Sequence, residues 1–251
     1  MKIGIIGEGA IGRFVIENLG AEGNAPFVSL VRAARLSTPQ EAGTTRVASV
    51  ADLPDNLDLM VDCAGHAALI EHGAAILARG IDLITVSLGA LADLQLEQSL
   101  TKAAQSGGAQ LHLASGAIGA LDALQAARVG GLSEVTYTGR KPPEGWRGSP
   151  AEDRVDLDGL TAATTHFAGT ARQASAHYPK NANVAAAVAI AGLGFDQTHV
   201  ELIADPNVTT NIHEIHAAGA FGRFSFKIEG NALPDNPRSS ALAAMSVISA
   251  I

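Results

Sequence analysis

Cysteine occurs once in the 251 residues, at Cys63. A disulfide framework within the chain and a cysteine-rich zinc site are therefore excluded, and the usage fits a reducing compartment. Aromatic residues are only 4% of the chain while glycines number 27, so small side chains and close backbone approaches must do much of the packing. Positive charge is also short: 17 Lys and Arg against 25 Asp and Glu give a net charge of −8. With no basic run anywhere, nucleic acid and anionic membrane surfaces are excluded as partners. The uncharged, alanine-rich stretch at residues 181–195 contains two asparagines and falls short of the roughly 20 apolar residues that span a bilayer. It reads as a buried helix. Lys2 leads directly into a strand pattern without the charged, apolar and small-residue regions of a secretion signal, so a cytoplasmic protein acting on small molecules is expected.

What is present is a 47% hydrophobic content, enough for one large or two modest cores. Residues 2–7 form a short apolar run, and residues 9–19 carry apolar side chains at helical spacing. The alternation repeats: strands at 27–31, 57–63, 81–86 and 110–114, with helices at 67–79 and 91–106. Such spacing implies parallel strands joined by right-handed crossovers, hence an α/β, doubly wound Rossmann sheet. The rhythm breaks at Ser115-Gly-Ala-Ile-Gly-Ala120. Beyond it, strand-like runs at 135–139, 200–204, 209–217 and 221–228 predict a second α+β domain with a mixed or antiparallel sheet. The expected domains are residues 1–116, residues 117–235, and a C-terminal helix within 236–251, started near Asn236-Pro237 and packed back on the first domain.

Gly7-Glu8-Gly9-Ala10-Ile11-Gly12 is a GxGxxG spacing between a predicted strand and helix, the context in which it binds a dinucleotide. Gly7 permits the tight turn, Gly9 the approach of the diphosphate to the backbone, and Gly12 close helix packing. The diphosphate sits on the helix N-terminus formed by Ala10 and Ile11. The second strand should end in an acid for the ribose diol of NAD, yet the sequence there is Leu30-Val-Arg-Ala-Ala-Arg35. Arg32 suits a 2′-phosphate or stacking on adenine, so NADP is as acceptable as NAD; as a bare surface charge it would do neither. Cys63-Ala64-Gly65-His66 lies at the end of the strand at 57–63, at the carboxyl edge and beside the cofactor. Nothing there lowers a thiol pKa, so Cys63 reads as a packing residue, and His66 as a helix-start residue. His213 and His216 are three apart. On a strand they face opposite sides and cannot share an ion, so no metal is expected and only one of them faces a cleft.

Several blocks together resemble the L-aspartate dehydrogenase family: Ser87-Leu-Gly-Ala-Leu-Ala-Asp93, Ser115 to Asp122, Arg140-Lys-Pro-Pro143, Tyr178-Pro-Lys-Asn-Ala-Asn-Val-Ala185, Asp205-Pro206, Asn211-Ile-His213 and Asn236-Pro-Arg-Ser-Ser-Ala-Leu242. The resemblance runs the length of the chain. It implies NAD- or NADP-dependent oxidation of L-aspartate to iminoaspartate, with His213 catalytic, Ala117 and Asn183 contacting the cofactor, and a homodimer. A histidine near the reacting nitrogen suits general-base chemistry. The dicarboxylate needs cationic or amide partners, for which Lys141, Lys180 and Asn181 are the candidates. Two alternatives stand beside this reading: another two-domain Rossmann enzyme, such as dihydrodipicolinate reductase or homoserine dehydrogenase, and a nucleotide-sensing regulator without catalysis.

Overall fold

The computed structural model describes residues 1–21, 23, 24, 26–38, 44–233 and 236–251, with the side chains of 236–238 outside the described residues. It divides into two units, one of Met1–Ala114 with Ala243–Ile251 and one of Ser115–Leu242.

The first unit runs β1 (Ile3–Ile6), α1 (Ala10–Ala21), β2 (Val28–Leu30), β3 (Thr45–Val47), β4 (Leu59–Asp62), α2 (His66–Ala78), β5 (Asp82–Thr85), α3 (Leu94–Gly107) and β6 (Leu111–Leu113). The six strands pair in parallel in the order β3-β2-β1-β4-β5-β6. The order reverses between β1 and β4, and the crevice outside strand ends at such a switch point is where ligands bind in open parallel sheets. Strands buried on both faces read as apolar runs, which is why β1 and β4 were legible while β3, with an exposed and half-buried pattern on an edge, was not. The helix expected from residue 91 begins instead at Leu94. Asp93 caps it, its carboxylate accepting from the N–H groups of Gln95 and Leu96, while residues 88–92 form a tighter 3₁₀ turn.

The second unit contains α4 (Leu121–Gly130), β7 (Leu132–Lys141), β8 (Thr164–Thr170), α5 (Ala171–His177), α6 (Asn183–Ala191), β9 (His199–Ala204), β10 (Asn211–Gly219), β11 (Gly222–Gly230), β12 (Ala232–Leu233) and β13 (Asn236–Ser240). Its five-stranded sheet has the order β11-β10-β7-β9-β8 and is mixed: β7 and β9 are parallel and the other pairs antiparallel. α6 is the buried alanine-rich helix, shorter than its apolar stretch because the chain turns at Gly192.

The last helix, α7 (Ala241–Ala250), starts later than Asn236-Pro237 suggested, because β12 holds the preceding residues extended by pairing Ala232 with Ser240 and Leu233 with Asn236. Val247 is fully buried in one cluster with Ile3, Ile5, Val15, Leu59, Val61 and Ile84, and Ile248 and Ile251 pack against it. The end of the chain thus belongs to the core of the first sheet. No helix among the described residues is long and apolar enough to cross a membrane.

Candidate active site

The glycine loop leaves β1 through Gly7, whose φ of +83° is a left-handed conformation that L side chains rarely adopt. A Cβ on Gly7 would lie 2.7 Å from the Ala64 Cβ, and one on Gly12 would lie 2.1 Å from the Gly7 carbonyl oxygen, so both glycines are fixed by close packing of loop and helix. Gly9 differs: a Cβ there would meet nothing within 4 Å. Its backbone is open to a ligand. Ala10 and Ile11 begin α1, where the first N–H groups lack helical partners, while the Ile11 side chain packs on the sheet core.

A cleft of about 420 Å³ opens at these strand ends, lined among others by Gly7, Glu8, Gly9, Arg32, Cys63 and Ala64. Arg32 and Arg35 both reach it and both are exposed. Sequence reasoning passed over Glu8, which places a carboxylate in the glycine loop. Arg46 on β3 neutralises it through a two-point ion pair with distances of 2.5 and 2.9 Å. The hydrogen bond from Arg46 is the main cause that holds the Glu8 carboxyl below its ordinary value. Glu71 and His72 of α2 complete the far wall.

Cys63 is half-buried and packs against the sheet cluster; burial pushes its thiol up, which makes it inert and not nucleophilic. The loop that carries it is anchored by the fully buried Asp62. The Asp62 carboxylate accepts from the Thr85 and Ser87 hydroxyls at 2.8 and 2.6 Å and from the Ala64 N–H at 3.0 Å. Desolvation raises its pKa, and these hydroxyl and amide partners oppose the rise. His66 is the first residue of α2.

In the second unit, alternation along two neighbouring strands gathers the polar groups. Tyr137, Gly139 and Lys141 on β7 share a face with Asn211, His213 and Ile215 on β10, because Gly139 lies opposite His213 and Tyr137 opposite Ile215. His216 falls on the other face, exposed, where it pairs with Glu214 at 2.9 Å. His213 is 4% exposed, and its Nδ1 lies 2.7 Å from the Tyr137 hydroxyl. Desolvation, followed by repulsion from the Lys141 charge, lowers the His213 pKa to about 3. The imidazole is therefore neutral at physiological pH.

Lys141 is 7% exposed, and its ammonium lies 5.1 Å from the centroid of the Trp146 ring. Among the described residues no carboxylate forms an ion pair with it. Burial lowers its pKa to about 8. The strand end that carries it is pinned by Arg140, which donates to Asp205 at 2.6 Å, and by the Asp205 N–H, which donates to the Lys141 carbonyl at 2.9 Å. The Arg140-Lys-Pro-Pro and Asp205-Pro blocks thus meet in space.

Lys180 is exposed and Asn181 half-buried in the turn before α6, and Asn183 is the first residue of that helix. Tyr178 links their block to Lys141: its ring stands 6.3 Å from that of Trp146, edge to face. The Tyr178 hydroxyl lies 3.1 Å from Nδ1 of His166, a buried histidine whose pKa is lowered to about 4, mainly by desolvation. Ala117 is buried in the segment before α4. Neither Tyr137 nor His166 was singled out from the sequence; a glycine inside the β7 run was the available signal for the first.

Residues 122–251 match the family model described as aspartate dehydrogenase, C-terminal, and residues 7–114 match the NAD-binding domain of homoserine dehydrogenase. The chain is 54% identical to an L-aspartate dehydrogenase of Ruegeria pomeroyi over 252 aligned positions, covering 100% of this chain and 91% of that protein. It is 49% identical to an L-aspartate dehydrogenase of Cupriavidus necator, with 100% and 96% covered. Among solved structures, an aspartate dehydrogenase from Thermotoga maritima superposes with a TM-score of 0.78 at 27% identity, covering 99% of this chain and 94% of that one.

Two outcomes follow from the geometry. Unfolded histidines bind protons near pH 6.5, whereas folded His213 and His166 resist protonation until about 3 and 4. Stability present above pH 6.5 is therefore lost as pH falls through this window, because the unfolded state binds more protons. Urea midpoints measured from pH 7 to pH 4.5 should decline, and His166→Gln should make the decline shallower. At the other unit, Arg32→Ala should weaken NADP⁺ binding about tenfold, in line with loss of one charge-assisted contact, and leave NAD⁺ nearly unchanged; calorimetric titration with each nucleotide measures both.

Proposed function

The chain belongs to the L-aspartate dehydrogenase family, and on that premise we propose that it oxidises L-aspartate to iminoaspartate with NAD or NADP, using His213 as the general base. The observation that carries this assignment is a neutral imidazole beside a buried ammonium on one sheet face, His213 and Lys141.

When bound, the nicotinamide supplies the acceptor for the hydride that leaves the substrate α-carbon. The substrate nitrogen must lose a proton for that to happen, and neutral His213 takes it. Lys141 receives a substrate carboxylate. A buried ammonium without a carboxylate partner is unfavourable, so an arriving anion gains both the attraction and the relief of that penalty. The same anion screens the Lys141 charge that repels a proton from His213, so substrate binding strengthens the base. Lys180 and Asn181 hold the second carboxylate, a reading supported by the link from their block through Tyr178 and Trp146 to Lys141.

Gly7, Gly9, Ala10, Ile11, Gly12, Arg32, Cys63, Ala64, Ala117 and Asn183 hold the nucleotide, the last two on the family resemblance alone. The imine either leaves to feed NAD biosynthesis or adds water, activated by His213, to give oxaloacetate and ammonia. The family resemblance also supports a homodimer working in the cytoplasm.

Formation of reduced nicotinamide is expected with L-aspartate and not with D-aspartate or L-glutamate, and His213→Ala should lower the rate about 100-fold or more. Nucleotide binding without reduction by any amino acid would instead favour the regulator. A second outcome isolates Lys141. Succinate, which lacks the amine, should inhibit competitively with a constant that rises about tenfold per pH unit above about 8. In Lys141→Arg that rise should vanish, since a guanidinium does not lose its proton in this range.

A further inference from the structure

A neutral imidazole carries one proton, and only the tautomer with that proton on Nδ1 leaves the Nε2 lone pair free to act as a base. In His213, Nδ1 is the nitrogen already engaged, 2.7 Å from the Tyr137 hydroxyl. The two rings lie nearly parallel, 18° apart, with centroids separated by 6.0 Å. The phenol is fully buried, and burial pushes its pKa up, so it stays a hydroxyl and does not compete as a base.

The contact requires a gap in the side-chain row. Tyr137 and Gly139 point to the same face, and Gly139 is the register partner of His213. A Cβ at Gly139 would lie 2.7 Å from the Tyr137 hydroxyl oxygen and 3.2 Å from Leu202 Cδ2. Glycine weakens a strand interior and marks a site of close approach. Here the close approach is that of the phenol, which reaches diagonally across the missing side chain to the imidazole.

We propose that Tyr137 is a positioning residue for the reaction: its hydroxyl oxygen accepts from Nδ1–H of His213, which selects the tautomer whose Nε2 receives the substrate proton, and Gly139 provides the space for that contact. When Nε2 takes the proton, the same hydrogen bond becomes charge-assisted and strengthens. The interaction is thus worth more in the protonated state than before it, which is what an aid to proton removal requires. The proposal rests on the reading of His213 as the general base.

The test compares wild type with Tyr137→Phe, Gly139→Ala and His213→Ala in the full-length protein with bound nucleotide. Ring-nitrogen NMR of ¹⁵N-histidine-labelled protein should place the His213 proton on Nδ1 in wild type and move it at least partly to Nε2 in Tyr137→Phe. The kcat for L-aspartate should fall about tenfold or more in Tyr137→Phe, with KM and nucleotide affinity within about twofold of wild type. Gly139→Ala, which displaces the phenol without removing it, should reproduce the fall, and it carries the kinetic test if Tyr137→Phe does not fold. A wild-type proton on Nε2, or a kcat for Tyr137→Phe near that of wild type while His213→Ala is inactive, would overturn the positioning role alone. Full activity in His213→Ala would overturn the general-base reading beneath it.

Discussion

Desolvation of one face of the second sheet is the constraint on which the proposed chemistry depends. His213 and Lys141 are both withdrawn from water, and burial penalises the charged form of each. The two charges also repel, so the pair settles with the imidazole neutral and the ammonium charged but easily discharged. In the empty site this imidazole holds a proton poorly, first because it is buried and second because of the Lys141 charge.

The surrounding structure keeps that face dry and in register. The Lys141 ammonium lies over the Trp146 ring, whose indole N–H donates to the Ile203 carbonyl at 3.0 Å, and Arg140 and Asp205 tie the ends of β7 and β9 together. The first unit solves a different problem, that of leaving loop backbone open at a cleft without an uncompensated negative charge beside it. Gly9 leaves the space and Arg46 neutralises Glu8. Asp62 holds the opposing loop from below, with hydroxyl and amide donors replacing the water that burial removes.

The sequence announced those parts that follow a local period. Buried parallel strands appear as apolar runs, GxGxxG marks its own turn, and the three-residue separation of His213 and His216 places them on opposite faces once the segment is a strand. Edge strand β3 lacks the apolar signal, and with it the Arg46 partner of Glu8 was hidden. β8 and α5 were also missed; Thr164–Thr170 alternates weakly, and α5 has only seven residues. Contacts between strands distant in sequence leave no local trace: Tyr137 is separated from His213 by 76 residues and Arg140 from Asp205 by 65. Lys141 was named through the family resemblance, while its burial, with no carboxylate among the described residues paired to it, is visible only in three dimensions.

The most direct measurement is an NMR titration of the His213 imidazole, free and with succinate. The free protein should show no protonation of this ring between pH 8 and 5, in keeping with a pKa of about 3, and succinate should move the onset of protonation upward by offsetting the Lys141 charge. An ordinary midpoint near pH 6.5 in the free protein, unmoved by succinate, would contradict the account.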